Sequence, residues 1–147
     1  LEKGLTWKFA KHGSLTAKAT GNILEVEGEG PWNSEMLANA DKDAESLLHG
    51  LYGRPWAVLT IMKGDPIYIP AAAELLIDII RLEKHKGRIA TAIIICDSEQ
   101  ALFAKQHLSQ IYIKAGEDYE FFDDKSVATL WLKSKIDSYK PPTDKSR

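Results

Sequence analysis

The sequence predicts an α/β domain: a mixed, mostly parallel sheet of about five strands flanked by four helices. Three observations predict it. From residue 34 onward, strand-sized apolar runs alternate with segments of helical period. Such alternation implies parallel strands joined by right-handed crossovers. The run 89–96 is apolar on both faces, as a central strand covered by helices requires. The N-terminal third instead reads as short strands separated by turns, which adds an antiparallel hairpin at one edge.

The elements follow in the order β-β-β-α-β-α-β-α-β-α. Residues 5–9 alternate apolar and polar side chains, 11–14 form a turn, and 15–20 return. Gly21-Asn22 turns again into a strand over 23–27, and Gly28-Glu29-Gly30-Pro31 breaks the pattern. Asn33 or Ser34 caps a helix over 34–49, whose inner face is Leu37, Ala40, Ala44, Leu47 and Leu51, with Leu48 beside them. A strand over 56–62 leads to a loop over 63–69. Pro70 opens a helix over 70–86 that buries Ala72, Leu75, Leu76, Ile79 and Ile80. After the strand 89–96, Asp97 and Gln100 form a capping box for a helix over 98–114 with Ala101, Ala104, Leu108 and Ile111 inside. A strand over 119–122 and a helix over 125–136 carrying Val127, Leu130 and Trp131 complete the domain. Residues 1–139 are expected to form this one domain, and 140–147 a polar tail.

The 147 residues fit a single domain, which at this size buries roughly 68–70% of the surface of its unfolded chain. Hydrophobic residues make up 44% and charged residues 27%, an ordinary globular balance. The net charge of 19 − 21 = −2 gives no general drive toward nucleic acid or an anionic membrane. No apolar run approaches the roughly 20 residues of a membrane span. The single cysteine, Cys96, cannot form an internal disulfide and suits a reducing, cytoplasmic location.

Gly30-Pro31-Trp32-Asn33 opens the first helix, Gly53-Arg54-Pro55-Trp56-Ala57-Val58-Leu59 opens a strand, and Phe121-Phe122-Asp123-Asp124 precedes a helix ending near Leu130-Trp131-Leu132. On these residues the stretch 23–132 resembles the SpoIIAA-like family, which shares the STAS fold and is compared with CRAL-TRIO lipid-binding domains. The resemblance implies a mixed sheet flanked by helices. In the sporulation members it also implies an anti-anti-sigma role, switched by serine phosphorylation at a helix start. Here that serine would fall at Ile69 or Pro70, and no Ser or Thr occurs between residues 61 and 90. The fold carries over and the switch does not. Ser98 is the best-placed alternative acceptor, at an expected helix start where added negative charge is tolerated.

No catalytic constellation emerges. Gly28-Glu29-Gly30-Pro31-Trp32-Asn33 sits where a dinucleotide fingerprint would lie, but Asn33 replaces the third glycine and Pro31 removes a phosphate-binding N–H. His12, His49, His85 and His107 have no partner at ligand spacing, so no metal site is expected. Cys96 ends a buried strand with no base beside it and reads as a small core hydrophobe. Glu25, Glu27 and Glu29 read as a solvated strand face or a protected edge. In open α/β sheets, ligands sit beyond the C-terminal strand ends. That reasoning gathers Trp32, Asn33, Asp65, Tyr68, Asp97 and Ser98 into one candidate ligand or partner edge, on which an exposed Trp or Tyr would be a natural anchor; the alternative reading packs Trp32 in the core.

The expected function is a non-enzymatic regulatory or protein-interaction module without the serine switch. The alternative is a carrier of a small apolar or amphipathic molecule held between helices and sheet, of CRAL-TRIO type. Neither reading calls for a cofactor. The partner is then a protein or a small apolar ligand, and self-association stays open.

Overall fold

The structure, a computed structural model, describes residues 3–9, 13–96, 99 and 101–141. Six strands form one sheet: β1 (Lys3–Phe9), β2 (Gly13–Thr20), β3 (Ile23–Trp32), β4 (Trp56–Tyr68), β5 (Arg88–Ile95) and β6 (Asp118–Phe122). They lie side by side in sequence order. The pairings β1–β2 and β2–β3 are antiparallel, and β3–β4, β4–β5 and β5–β6 are parallel. The expected mixed, mostly parallel α/β sheet is therefore what forms. The run 89–96 falls mostly within β5, between β4 and β6.

The helices are α1 (Ser34–Asp43), α2 (Glu45–His49), α3 (Pro70–Lys84), α4 (Ala101–Ala115) and α5 (Lys125–Ser138). The two-residue period of β4 shows how they divide between the faces. Trp56, Val58 and Met62 pack with residues of α1 to α4, whereas Ala57, Leu59 and Ile61 pack with Ala128 and Leu132 of α5. Helix α5 lies over β4, β5 and β6, and on that side β3 shows charge. Glu25 pairs with Lys125 at 2.9 Å and Glu27 with Lys63 at 2.8 Å. The glutamates of β3 are thus a solvated face and not a protected edge, because β3 is hydrogen-bonded on both sides.

Four expectations need correction. The helix 34–49 divides at Ala44, which lies at φ −84° and ψ 1° while its side chain stays buried; no breaker residue marks that point. The stretch 28–31 does not interrupt the strand, since β3 runs on to Trp32 through a cis Gly30–Pro31 peptide. Nor is 63–69 a loop, since β4 runs to Tyr68. Gly30 pairs with Gly64 and Trp32 with Tyr68, and the register shift between them absorbs the extra residues. Proline is tolerated in a strand at such an irregularity, and Pro66 is fully buried there. The phase of α5 also differs. Val127 and Leu130 are exposed, and the buried stripe is Ala128 and Leu132. Ala128 meets Ala57, Ala90 and Ala92 of the sheet, so small residues on both sides fix the face.

Candidate functional site

A partly open apolar cavity of about 130 Å³ lies between the sheet and the helices α1 to α3. Its sheet wall consists of alternate residues of three strands: Leu15 and Ala17 of β2, Leu24 and Val26 of β3, and Val58, Thr60 and Met62 of β4. Gly28 continues the inward row of β3 without a side chain. Met36, Leu37 and Ala40 of α1, Ala44 at the break, Leu48 of α2, and Leu76 and Ile79 of α3 form the roof. The cavity thus depends on α1 and α2 spanning β2 and β3 with mostly small or flexible side chains.

One end of the cavity is aromatic. Trp32 and Tyr68, at the ends of neighbouring strands, stack with ring centroids 5.1 Å apart and planes 29° apart. Trp32 is 5% exposed and Tyr68 9%. The Trp32 indole Nε1 is the one buried side-chain polar atom without a hydrogen-bond partner among the described residues. Buried polar groups nearly always find a partner, so this one is an anomaly. The Tyr68 backbone N–H donates to His107 Nε2 at 3.1 Å, tying α4 to the end of β4. Burial lowers the pKa of His107, and only an unprotonated Nε2 can accept that hydrogen bond.

A second part of the lining, Arg88 and Glu83, is charged and internally satisfied. Arg88 faces the cavity because the β4–β5 register slips between Arg88 and Ala90, putting Arg88 opposite Trp56. Its Nε donates to Glu117 Oε2 at 2.7 Å, its Nη1 to Glu83 Oε1 at 2.6 Å and its Nη2 to Thr91 Oγ1 at 2.8 Å. The Thr91 hydroxyl donates in turn to Glu117 Oε2 at 2.6 Å, and Lys84 Nζ reaches Glu117 Oε1 at 2.7 Å. Burial pushes Glu117 up, but Arg88, Lys84 and Thr91 outweigh it and hold the carboxyl below its usual range. At Glu83 burial outweighs Arg88, and the pKa rises. Burial likewise raises Asp41, which borders the cavity, and pushes the Tyr112 hydroxyl up to about 12. Each carboxylate of the cluster is paired with a cation.

The expected edge residues divide. Asn33 caps α1, its Oδ1 accepting from Met36 N at 2.9 Å. That is the expected cap, and it occupies the side chain structurally. Asp65 is exposed. Trp32 and Tyr68 come together as a pair, but as core residues lining a cavity; neither is an exposed anchor on a loop. Asp97 and Ser98 lie outside the described residues, as do His12 and Gln100. The strand order also never reverses, and the rule that places ligands beyond strand ends applies where it does. Among the described residues, no group of three or more His, Cys, Asp or Glu could hold a metal ion, and no helix is long and apolar enough to cross a membrane.

Sequence reasoning missed the Arg88 cluster and the residues that line the cavity, although the carrier alternative placed a ligand between helices and sheet. One signal was available: Glu83 extends the inner face of α3 three residues beyond Ile80, and a charge on an apolar stripe asks for a buried partner. The partner's identity was not legible, since Glu117 is 29 residues from Arg88. No known family profile matches the sequence, and no curated protein is significantly similar to it.

Proposed function

We propose that this protein is a non-enzymatic binding module that takes a small apolar molecule into the cavity between the sheet and α1 to α3. The observation that carries this is the cavity itself. Dry apolar cavities of roughly 150 Å³ bind benzene-sized molecules, and this one is about 130 Å³. That space suits a single ring and not an acyl chain, so the ligand is smaller than a lipid. The SpoIIAA-like relationship remains part of the proposal, supported by the mixed sheet and by helices on both of its faces.

Benzene and toluene are the test ligands, read by the shift of urea unfolding. A ligand that binds only the folded state at about 100 times its Kd stabilises it by about 2.7 kcal/mol. Ala40→Leu, which fills the roof, should abolish that gain while the variant still folds. Absence of any stabilisation by either ring in the unmodified protein would refute the proposal.

A second reading has its own support. Ile69, Leu102 and Phe103 are exposed apolar residues at 44%, 74% and 55%. Of these, Phe103 stacks on His107, which accepts from the N–H of Tyr68, the residue before Ile69. We read these residues as a protein-interaction surface. Pull-down from host extract with Leu102→Ser/Phe103→Ser as control tests this: a partner retained equally by both proteins argues against the surface.

A further inference from the structure

We propose that the cavity selects a neutral aromatic molecule carrying one hydrogen-bond acceptor, to which the Trp32 indole N–H donates. This rests on the ligand-binding role proposed above and adds the chemical class. Three observations lead to it. Trp32 lines the cavity, and its Nε1 is buried with no acceptor among the described residues. A buried donor left unsatisfied is costly, and a ligand acceptor removes that cost only when bound. The adjoining wall is the Tyr68 ring, stacked on Trp32, and flat rings pack favourably against such faces in offset or edge-on arrangements.

The charge requirement comes from the Arg88 cluster, of which Arg88 and Glu83 also line the cavity. Arg88 and Lys84 carry two positive charges, and Glu83 and Glu117 two negative ones, all ion-paired. The cluster therefore offers no surplus positive charge to an anion, and Asp41 borders the same space. An anionic ligand would lose its hydration without gaining a counter-ion. A purely apolar ring would fit but would leave the indole N–H as unsatisfied as before.

Benzonitrile and phenylacetylene test the acceptor, because they share shape and differ at the terminal atom. Their affinities are measured for the unmodified protein and for Trp32→Phe. In this cycle the probes' own hydration cancels, so the comparison isolates the N–H contact. The expected result is that Trp32→Phe weakens benzonitrile about tenfold more than phenylacetylene. The Trp32 indole N–H resonance should move downfield with benzonitrile and not with phenylacetylene. Benzoate should bind at least tenfold more weakly than benzonitrile. If Trp32→Phe does not fold, the resonance in the unmodified protein decides alone. Equal losses for the two probes, or an unmoved resonance on saturation with benzonitrile, overturn the acceptor while leaving the cavity as a binding site. Benzoate binding as tightly as benzonitrile overturns the neutral class. If neither neutral probe binds, the acceptor proposal falls, and the ligand-binding role falls with it only if benzene and toluene also fail to stabilise the protein.

Discussion

Replacing Arg88 by methionine strips the buried cluster of its central cation while keeping an apolar stem. Arg88 is 7% exposed, and its guanidinium serves Glu117, Glu83 and Thr91 together. In the variant, Lys84 still reaches Glu117, but Glu83 loses the ion pair it makes with Arg88. Removing one partner of a buried pair costs about 3–5 kcal/mol. A domain of this size loses roughly 2–4 °C per kcal/mol, so melting should fall by about 6–20 °C. Urea unfolding followed by circular dichroism at pH 7 measures the loss directly. The pH dependence identifies its cause. Glu117 has a folded pKa below its unfolded value of 4.5, so its contribution is present above pH 4.5 and is lost as pH falls through the folded value. Glu83, raised by burial, has the opposite sign: its ionisation costs stability above its folded pKa, and acidification relieves that cost. Without Arg88 nothing offsets the burial of Glu83, while Lys84 and Thr91 still hold Glu117 down, so the gap between variant and parent should narrow as pH falls from 7 toward 4.5. A loss under about 1 kcal/mol, or a gap that does not change with pH, would refute this account. Combining Arg88→Met with Glu83→Leu and Glu117→Met should recover most of the loss, since apolar replacement of a whole buried ion cluster is often neutral or better.

Three further outcomes are expected. Tyr68→Ala should cost about 3–5 kcal/mol, as for other buried aromatic truncations, whereas Asp65→Ala should stay within about 0.5 kcal/mol; separate urea titrations of the two variants measure this, and a near-neutral Tyr68→Ala would contradict its burial. Because the folded pKa of His107 lies below its unfolded value of 6.5, its contribution is complete above pH 6.5 and declines as pH falls through the folded value. His107→Leu should flatten that part of the stability profile, and an unchanged profile would remove His107 as its source. Gly87 sits at φ 108°, and a Cβ there would collide with the Arg54 carbonyl oxygen, so Gly87→Ala should lose more than about 1 kcal/mol by thermal melting; a neutral substitution would show that the turn into β5 can yield.

The sequence by itself determined the class of fold and most helix positions. Periodicities of two and 3.6 and capping residues act over a few neighbours, so they are legible in one dimension. Asn33 at the start of α1, Pro70 at the first position of α3 and the doubly apolar run of β5 are read that way. Tertiary structure decided what depends on register and on distant partners. The continuation of β4 through Gly64 and Pro66 needs a bulge opposite β3, and that bulge brings Trp32 and Tyr68 together as buried neighbours. Arg88 turns toward the cavity only through a slip in the β4–β5 register, and its partner Glu117 follows a different helix. The inner face of α5 is set by the small alanines it meets on the sheet, so Leu130 lies outside although it is the larger apolar residue. A cavity is the space that packed elements fail to fill, and its volume follows from how far α1 and α2 stand from β2 and β3, a distance that no local pattern encodes.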